Sequence, residues 1–227
     1  MKNKINISSI LLVFTLFLTN CQQSLQTDTE KKWTSLFDGK STNGWTLYNG
    51  NKINGGWVVE NETLFRKSKA GDIITSKEYG DFELSLEWKI VKNGNSGIMY
   101  RVKTHLKHAF FTGAEMQVLD NNGKNSVVTA GANYALYAPP RDLTKPIGEW
   151  NHARIIAKGN HIEHWLNGVQ TCSFEIGSTD WIKRLNKSKF GDKKKYPEYA
   201  KYKKGYICLQ DHGNQVWYKN IKIREFD

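Results

Sequence analysis

The chain has 227 residues, of which 24% are charged and 12% aromatic. That is enough for one domain with a substantial core, and it excludes a disordered chain. The net charge of +11 is concentrated: ten lysines and arginines lie between Lys183 and Lys204, against only Asp192 and Glu198. With no nucleic-acid motif beside it, this run reads as a solvated surface insertion rather than a nucleic-acid site.

The first residues read as a targeting segment. Lys2 and Lys4 precede an apolar run from Ile10 to Leu18 that is too short to span a bilayer. Leu18-Thr19-Asn20-Cys21 then has the form of a lipobox, with Asn20 in place of the usual small residue. Residues 1–20 are therefore expected to be a lipoprotein signal peptide, and Cys21 the lipidated residue. Residues 21–32 read as a flexible tether, and 33–227 as the folded domain, held in the bacterial cell envelope by its lipid.

From Trp33 onward strand signals dominate. Phe82, Leu84, Leu86, Trp88 and Ile90 alternate with Glu83, Ser85, Glu87 and Lys89, the pattern of a strand with one wet face. Ile98, Tyr100 and Val102 alternate with Gly97, Met99 and Arg101, and Met116 and Val118 with Glu115 and Gln117. Asn167-Gly168 between His161–Leu166 and Val169–Phe174 is a two-residue hairpin signal. Thr179 to Arg184 is expected to form a short helix, followed by an irregular basic insertion over 183–204. Tyr206 to Gln210 and Val216 to Arg224 make a last strand pair. Many short strands with frequent turns predict an all-β sandwich or jelly roll of two antiparallel sheets. Cys172 and Cys208 both fall in apolar strands and are read as buried thiols, although an envelope compartment permits a disulfide.

Several chemistries are excluded by motif: the sequence has no nucleophile elbow, P-loop, dinucleotide fingerprint or HExxH. What remains is a scatter of titratable residues on strands and strand ends. Parity puts Glu115 and Gln117 on one face of their strand, either a sugar site or an ordinary solvent face. Arg101 shares a face with Gly97 and Met99, where a guanidinium can hold a hydroxyl, a developing anion, or a neighbouring carboxylate. His164 sits mid-strand, as a site residue or a satisfied core histidine. Asp211 and His212 follow a strand end, where loops build sites. Lys145 precedes Glu149 and Trp150 in a proline-flanked loop.

The order of motifs then resembles a known family. Leu36-Phe37-Asp38-Gly39-Lys40 with Asn43-Gly44-Trp45, Glu78-Tyr79-Gly80-Asp81-Phe82, Gly94-Asn95-Ser96-Gly97, Glu115-Met116-Gln117-Val118-Leu119-Asp120, Ile162-Glu163-His164-Trp165 and Leu209-Gln210-Asp211-His212-Gly213 look like the 3-keto-disaccharide hydrolase family. The resemblance implies a concanavalin A-like jelly roll with a concave sheet that binds carbohydrate. It also implies cleavage of 3-keto-glycosides, with a non-catalytic glycan-binding lipoprotein as the alternative. The strand Glu115-x-Gln117-x-x-Asp120 is similar to the catalytic strand of laminarinase-type glycosidases. It lacks their central acid, which argues against ordinary double displacement between two carboxyls.

A 3-keto sugar needs only a base for the hydrogen on C2, an electrostatic partner for the enolate, and an acid for the leaving group. The residues assigned are Glu115 or His164 as base, Arg101 or Lys145 for the enolate, and Asp211 or His212 for departure. Gln117, Asp120, Lys145, Trp150 and Gln210 are assigned to substrate binding. No cofactor is assigned, and a divalent metal in place of the cation stays open.

Overall fold

The computed structural model describes residues 32–226. The leader, Cys21 and nearly all of the expected tether lie outside the described residues. Among the described residues the strands are β1 (Thr34–Ser35), β2 (Trp45–Leu47), β3 (Trp57–Glu60), β4 (Thr63–Arg66), β5 (Ile73–Tyr79), β6 (Phe82–Ile90) and β7 (Asn95–Val102). They continue with β8 (Ala114–Leu119), β9 (Asn151–Lys158), β10 (His161–Leu166), β11 (Val169–Glu175), β12 (Gly205–Leu209) and β13 (Val216–Glu225), and one α-helix, α1 (Thr179–Lys187), lies between β11 and β12.

Two antiparallel sheets face each other. One has the order β11-β10-β9-β6-β13-β4-β3, with the short β1 also on β13; the other has the order β2-β5-β12-β7-β8. The chain is thus an all-β jelly-roll sandwich, as its alternation predicts. Phe82, Leu84, Leu86, Trp88 and Ile90 of β6 point into the core with Ala153 and Ile155 of β9 and Tyr218 and Ile223 of β13. Ile98 and Tyr100 of β7, Met116 and Val118 of β8, and Ile207 and Leu209 of β12 meet them from the smaller sheet. The Asn167-Gly168 turn forms as expected, both residues having positive φ (51° and 81°), as a tight hairpin between right-twisted strands requires.

Two sequence expectations change here. The alternation of β7 breaks at Arg101, whose φ is 54°, and the ladder to β12 shifts register at the same place. This bulge puts Val102 on the side of Met99 and turns Arg101 toward the end of the sandwich. There its guanidinium donates to the carbonyls of Gly80 and Gly159 and to Asp81 Oδ1, at 3.1, 2.8 and 3.0 Å. Arg101 therefore ties two strand turns together and is not a substrate ligand.

His164 is fully buried on the core side of β10, between Ile162 and Leu166. Tyr100 Oη lies 3.0 Å from its Nε2, and the rings of Tyr100 and Phe174 pack edge-on against it. Burial pushes its pKa down to about 3, so it is a neutral core histidine with no access to a sugar.

The basic insertion is more ordered than a solvated loop. Ser178 caps α1 by accepting from the Trp181 amide, and the helix runs three residues past the expected end. Trp181 is buried against Phe174 and Tyr137. Phe190, Tyr196 and Tyr199 are buried as well, with Phe190 stacked on Tyr199 at 3.8 Å. The aromatics of 183–204 anchor it to the sandwich while its lysines, Lys189 excepted, face outward. Cys172 and Cys208 are unpaired, one in each sheet.

Candidate active site

The outer face of the five-stranded sheet is built in rows by register. Cys208 pairs with Ile74 and with Met99, and Met99 with Glu115. Two residues along, Gly97 pairs with Gln117, and Gln210, continuing β12, donates its amide to the Gly97 carbonyl at 3.0 Å. Glu115, Gln117 and Gln210, all chosen from the sequence, thus belong to one face. The gap in this face is at Gly97: a methyl group there would lie 2.0 Å from Glu115 Oε1 and 2.7 Å from its Cδ. The absent side chain is what lets the Glu115 carboxyl lie across the sheet toward the Gln210 row.

Glu115 is 5% exposed, and its pKa is pushed up to about 8, chiefly by burial and a little by Asp72, while Lys189 opposes. Its neighbour Gln117 is oriented by donating from Nε2 to Asn95 Oδ1 at 2.6 Å and to the Ser96 carbonyl at 3.1 Å. That leaves the Gln117 carbonyl oxygen as the end of the amide with no such tie.

On the β5 side a cavity of about 330 Å³, large enough for a sugar ring, is lined by Tyr48, Ala70, Asp72, Lys107, His108 and Asp211. Burial raises the Asp72 carboxyl to about 6, although the Asp211 amide donates to it at 2.9 Å. The imidazole of His108 is stacked on Phe110 at 5.2 Å, and burial holds its pKa below the usual value. Tyr48 is fixed by its hydroxyl, which donates to the carbonyl oxygens of Lys103 and Leu106, at 2.9 and 2.8 Å. On the β8 side, Lys189 Nζ sits over the rings of Tyr134, Phe190 and Phe110 at 4.4, 5.0 and 5.3 Å. An ammonium held on three aromatic faces is positioned despite its exposed stem.

The other residues chosen from the sequence fall outside this constellation. Asp211 reaches the cavity rim, but its carboxylate is spent on structure. It accepts from the amides of Ala70, Gly71 and Gly213 and pairs with Arg66 at 2.7 Å. Burial works against its ionisation, but these donors outweigh it and hold the pKa below the usual range. His212 is exposed and does not line the cavity. Asp120 accepts from the amides of Asn93 and Asn122, closing turns. With Lys145 it borders only a crevice of about 10 Å³, room for a single water. Trp150 lies on the opposite sheet, with Lys89 and Lys219 over its ring.

Asp72, His108 and Lys189 were not singled out in the sequence. Asp72 had a readable signal: it precedes Ile73-Ile74 in the parity that faces the cavity. Lys189 had none, being one lysine among ten cations. Among the described residues no group of three His, Cys, Asp or Glu is arranged to hold a metal ion.

Comparison with known proteins agrees with the fold. Residues 32–224 match the model of the 3-keto-alpha-glucoside-1,2-lyase-like domain. A protein of Bacteroides thetaiotaomicron named 3-keto-disaccharide hydrolase is 28% identical over 226 residues, covering 85% of this chain and 78% of its own. A solved structure of a candidate glycosyl hydrolase from Parabacteroides distasonis is 37% identical, with TM-score 0.78, over 86% of this chain and 94% of that one. A carbohydrate-binding module of Bacillus subtilis, 16% identical with TM-score 0.54 over 80% of this chain and 96% of that one, shares the fold. The chain belongs to the 3-keto-disaccharide hydrolase family, whose domain is the 3-keto-alpha-glucoside-1,2-lyase-like jelly roll.

Proposed function

We propose that the protein cleaves 3-keto-glycosides on the outer face of the five-stranded sheet, by elimination across C1–C2 followed by hydration. The observation that carries this is the row in which Gly97 leaves room for the buried Glu115 carboxyl, with Asp72 of the neighbouring cavity near enough to act on it; burial raises both, Glu115 to about 8 and Asp72 to about 6. At neutral pH one keeps its proton and the other has lost it, the condition for acid and base to act together. Family membership and the activity named for the Bacteroides relative support the substrate class.

In this reading Asp72 takes the proton from C2, made acidic by the C3 ketone. The C2–H electrons form the enolate, whose oxygen is steadied by the Lys189 ammonium. The electrons then fall back, the bond from C1 to the glycosidic oxygen breaks, and Glu115 gives that oxygen its proton. Water adds to C1 of the resulting enone, losing a proton to the Glu115 carboxylate, and Asp72, its proton having exchanged with solvent in the cavity, protonates C2. One water is consumed and both carboxyls are restored. Glu115 thus serves as the proton donor instead of the base expected from the sequence, because burial keeps it protonated. Lys189 takes the place expected of Arg101 or Lys145.

The test is incubation with a 3-keto-glucoside beside its unoxidised parent. Cleavage confined to the oxidised sugar, and lost in Glu115→Gln, is the expected result. Cleavage of the parent at a similar rate would overturn the elimination route. The lipid anchor at Cys21 is proposed with it, and mass spectrometry of the membrane fraction for diacylglyceryl-cysteine tests that separately.

A further inference from the structure

The largest cavity among those described lies on the opposite side of the sandwich, over the outer face of the eight-stranded sheet, at about 550 Å³. Its floor is the outward row of β6 and β9 together with a bulge in β13. The register of β13 against β6 slips between Lys219 and Lys222, and Asn220 takes a left-handed φ of 51°. The bulge aims Asn220 outward, where its Nδ2 donates to Glu87 Oε1 at 2.6 Å. Lys219 steadies the other oxygen of Glu87 at 3.5 Å. Beside them Ser85 Oγ and His152 Nε2 form a pair at 2.9 Å.

The roof is the segment from Trp33 to Gly39. The Trp33 indole is pinned by Lys222 and Arg224, each 5.0 Å from the ring centre. Those two cations lie two residues apart on β13, so they rise from one face of the sheet and support the ring together. The wall therefore combines an aromatic ring with an amide, a carboxylate, a hydroxyl and an imidazole, all held in place by other protein groups.

The chemistry of the lining selects the ligand. Glu87, Glu62 and Asp38 line the cleft against Lys222, while Lys219 is engaged by Glu87 and Arg224 by Glu83 and the Trp33 ring, which disfavours phosphates and other anions. The scarcity of exposed apolar side chains disfavours a lipid. Alternating donors and acceptors beside an indole suit a neutral polyhydroxylated ring, in which every hydroxyl both gives and accepts a hydrogen bond. We propose that this cleft is a second, non-catalytic saccharide site, holding a neutral glycan on the face opposite the cleavage site. Its central carboxylate, Glu87, is already held by Asn220 and Lys219, so the cleft is assigned to binding alone.

The experiment is a titration of the ¹⁵N-labelled protein with cellotriose, maltotriose and mannotriose, with inorganic phosphate as the anionic control. The expected result is that at least one trisaccharide shifts the Trp33 indole N–H and the amides of Glu87 and Asn220. Both Trp33→Ala and Glu87→Gln should weaken that binding about tenfold or more. Glu115→Gln should leave it unchanged, so the outcome is independent of whether the opposite face is catalytic. Shifts produced by phosphate alone, no shift with any trisaccharide at about 20 mM, or binding that survives in both cleft variants would overturn the proposal.

Discussion

Gly97→Ala is the perturbation whose effect follows most directly from the geometry. The added methyl carbon would sit 2.0 Å from Glu115 Oε1, whereas ordinary contact begins at 3.4 Å, so the carboxyl must retreat by about 1.4 Å. A displacement of about 1 Å in a reacting group costs on the order of 100-fold in rate. The expected loss in kcat is therefore about 100-fold or more, equivalent to about 2.7 kcal/mol of barrier. The backbone at Gly97 does not require a left-handed φ. An alanine there recovers about 0.5–1 kcal/mol of the strand's entropic cost and offsets part of the local crowding. The Tm is expected to stay within about 4 °C of wild type. Initial rates of aglycone release from a 3-keto-glucoside, together with a thermal melt, give both numbers. Unchanged kcat in a folded Gly97→Ala protein would show that the Glu115 carboxyl need not lie across the sheet, and the assignment of that residue would fail.

The remaining expectations concern the acids, the cation and the core. The profile of kcat/KM against pH should rise through about 6 as Asp72 loses its proton and fall through about 8 as Glu115 loses its own. Any residual rate in Asp72→Asn should lack the acid limb, and any in Glu115→Gln the alkaline one. Glu115 also affects stability: its folded-state pKa is raised, so the native protein holds a proton that the unfolded chain releases between about 4.5 and 8. Stability from this group is lost as pH climbs through that window, and Glu115→Gln should melt higher than wild type at pH 9 while matching it near pH 4. Lys189→Met should lower kcat by about 100- to 1000-fold, the range for removing one anion-stabilising donor; rates within twofold of wild type would remove Lys189 from the mechanism. His164→Phe should leave kcat within about threefold but cost about 1–3 kcal/mol through the orphaned Tyr100 hydroxyl. Because burial lowers the His164 pKa to about 3, its contribution is complete above the unfolded value near 6.5 and fades as pH falls toward 3. The melting curve of His164→Phe should therefore depend less steeply on pH below 6.5.

Much of the fold was legible because a pleated strand with one buried face writes its burial every second residue. Phe82 to Ile90 shows this, as does the hairpin at Asn167-Gly168, whose positive φ angles fit those residue types. The same rule put Glu115 and Gln117 correctly on one face. It failed at Arg101, where a bulge interrupts the alternation and a single left-handed residue reverses the side chain. His164 shares parity with Ile162 and Leu166, a core signature that its chemical interest obscured. Lys189 and Asp72 converge only through tertiary packing. The aromatics of the basic insertion fold one lysine back over the sheet, and the β4–β5 connection places one aspartate at its rim, neither of which has a local period. The largest cavity escaped for a similar reason: the Trp33–Gly39 segment roofs it from a part of the chain remote from β6 and β9.

The route of cleavage is tested most directly by running the reaction on a 3-keto-glucoside in D₂O and locating the label by NMR, with the isolated 3-keto-sugar product as the exchange control. Removal and return of the C2 proton predicts one deuterium at C2 of the released sugar, above the level in the control, at every turnover. Release of a sugar that keeps hydrogen at C2 would contradict the proposed mechanism outright.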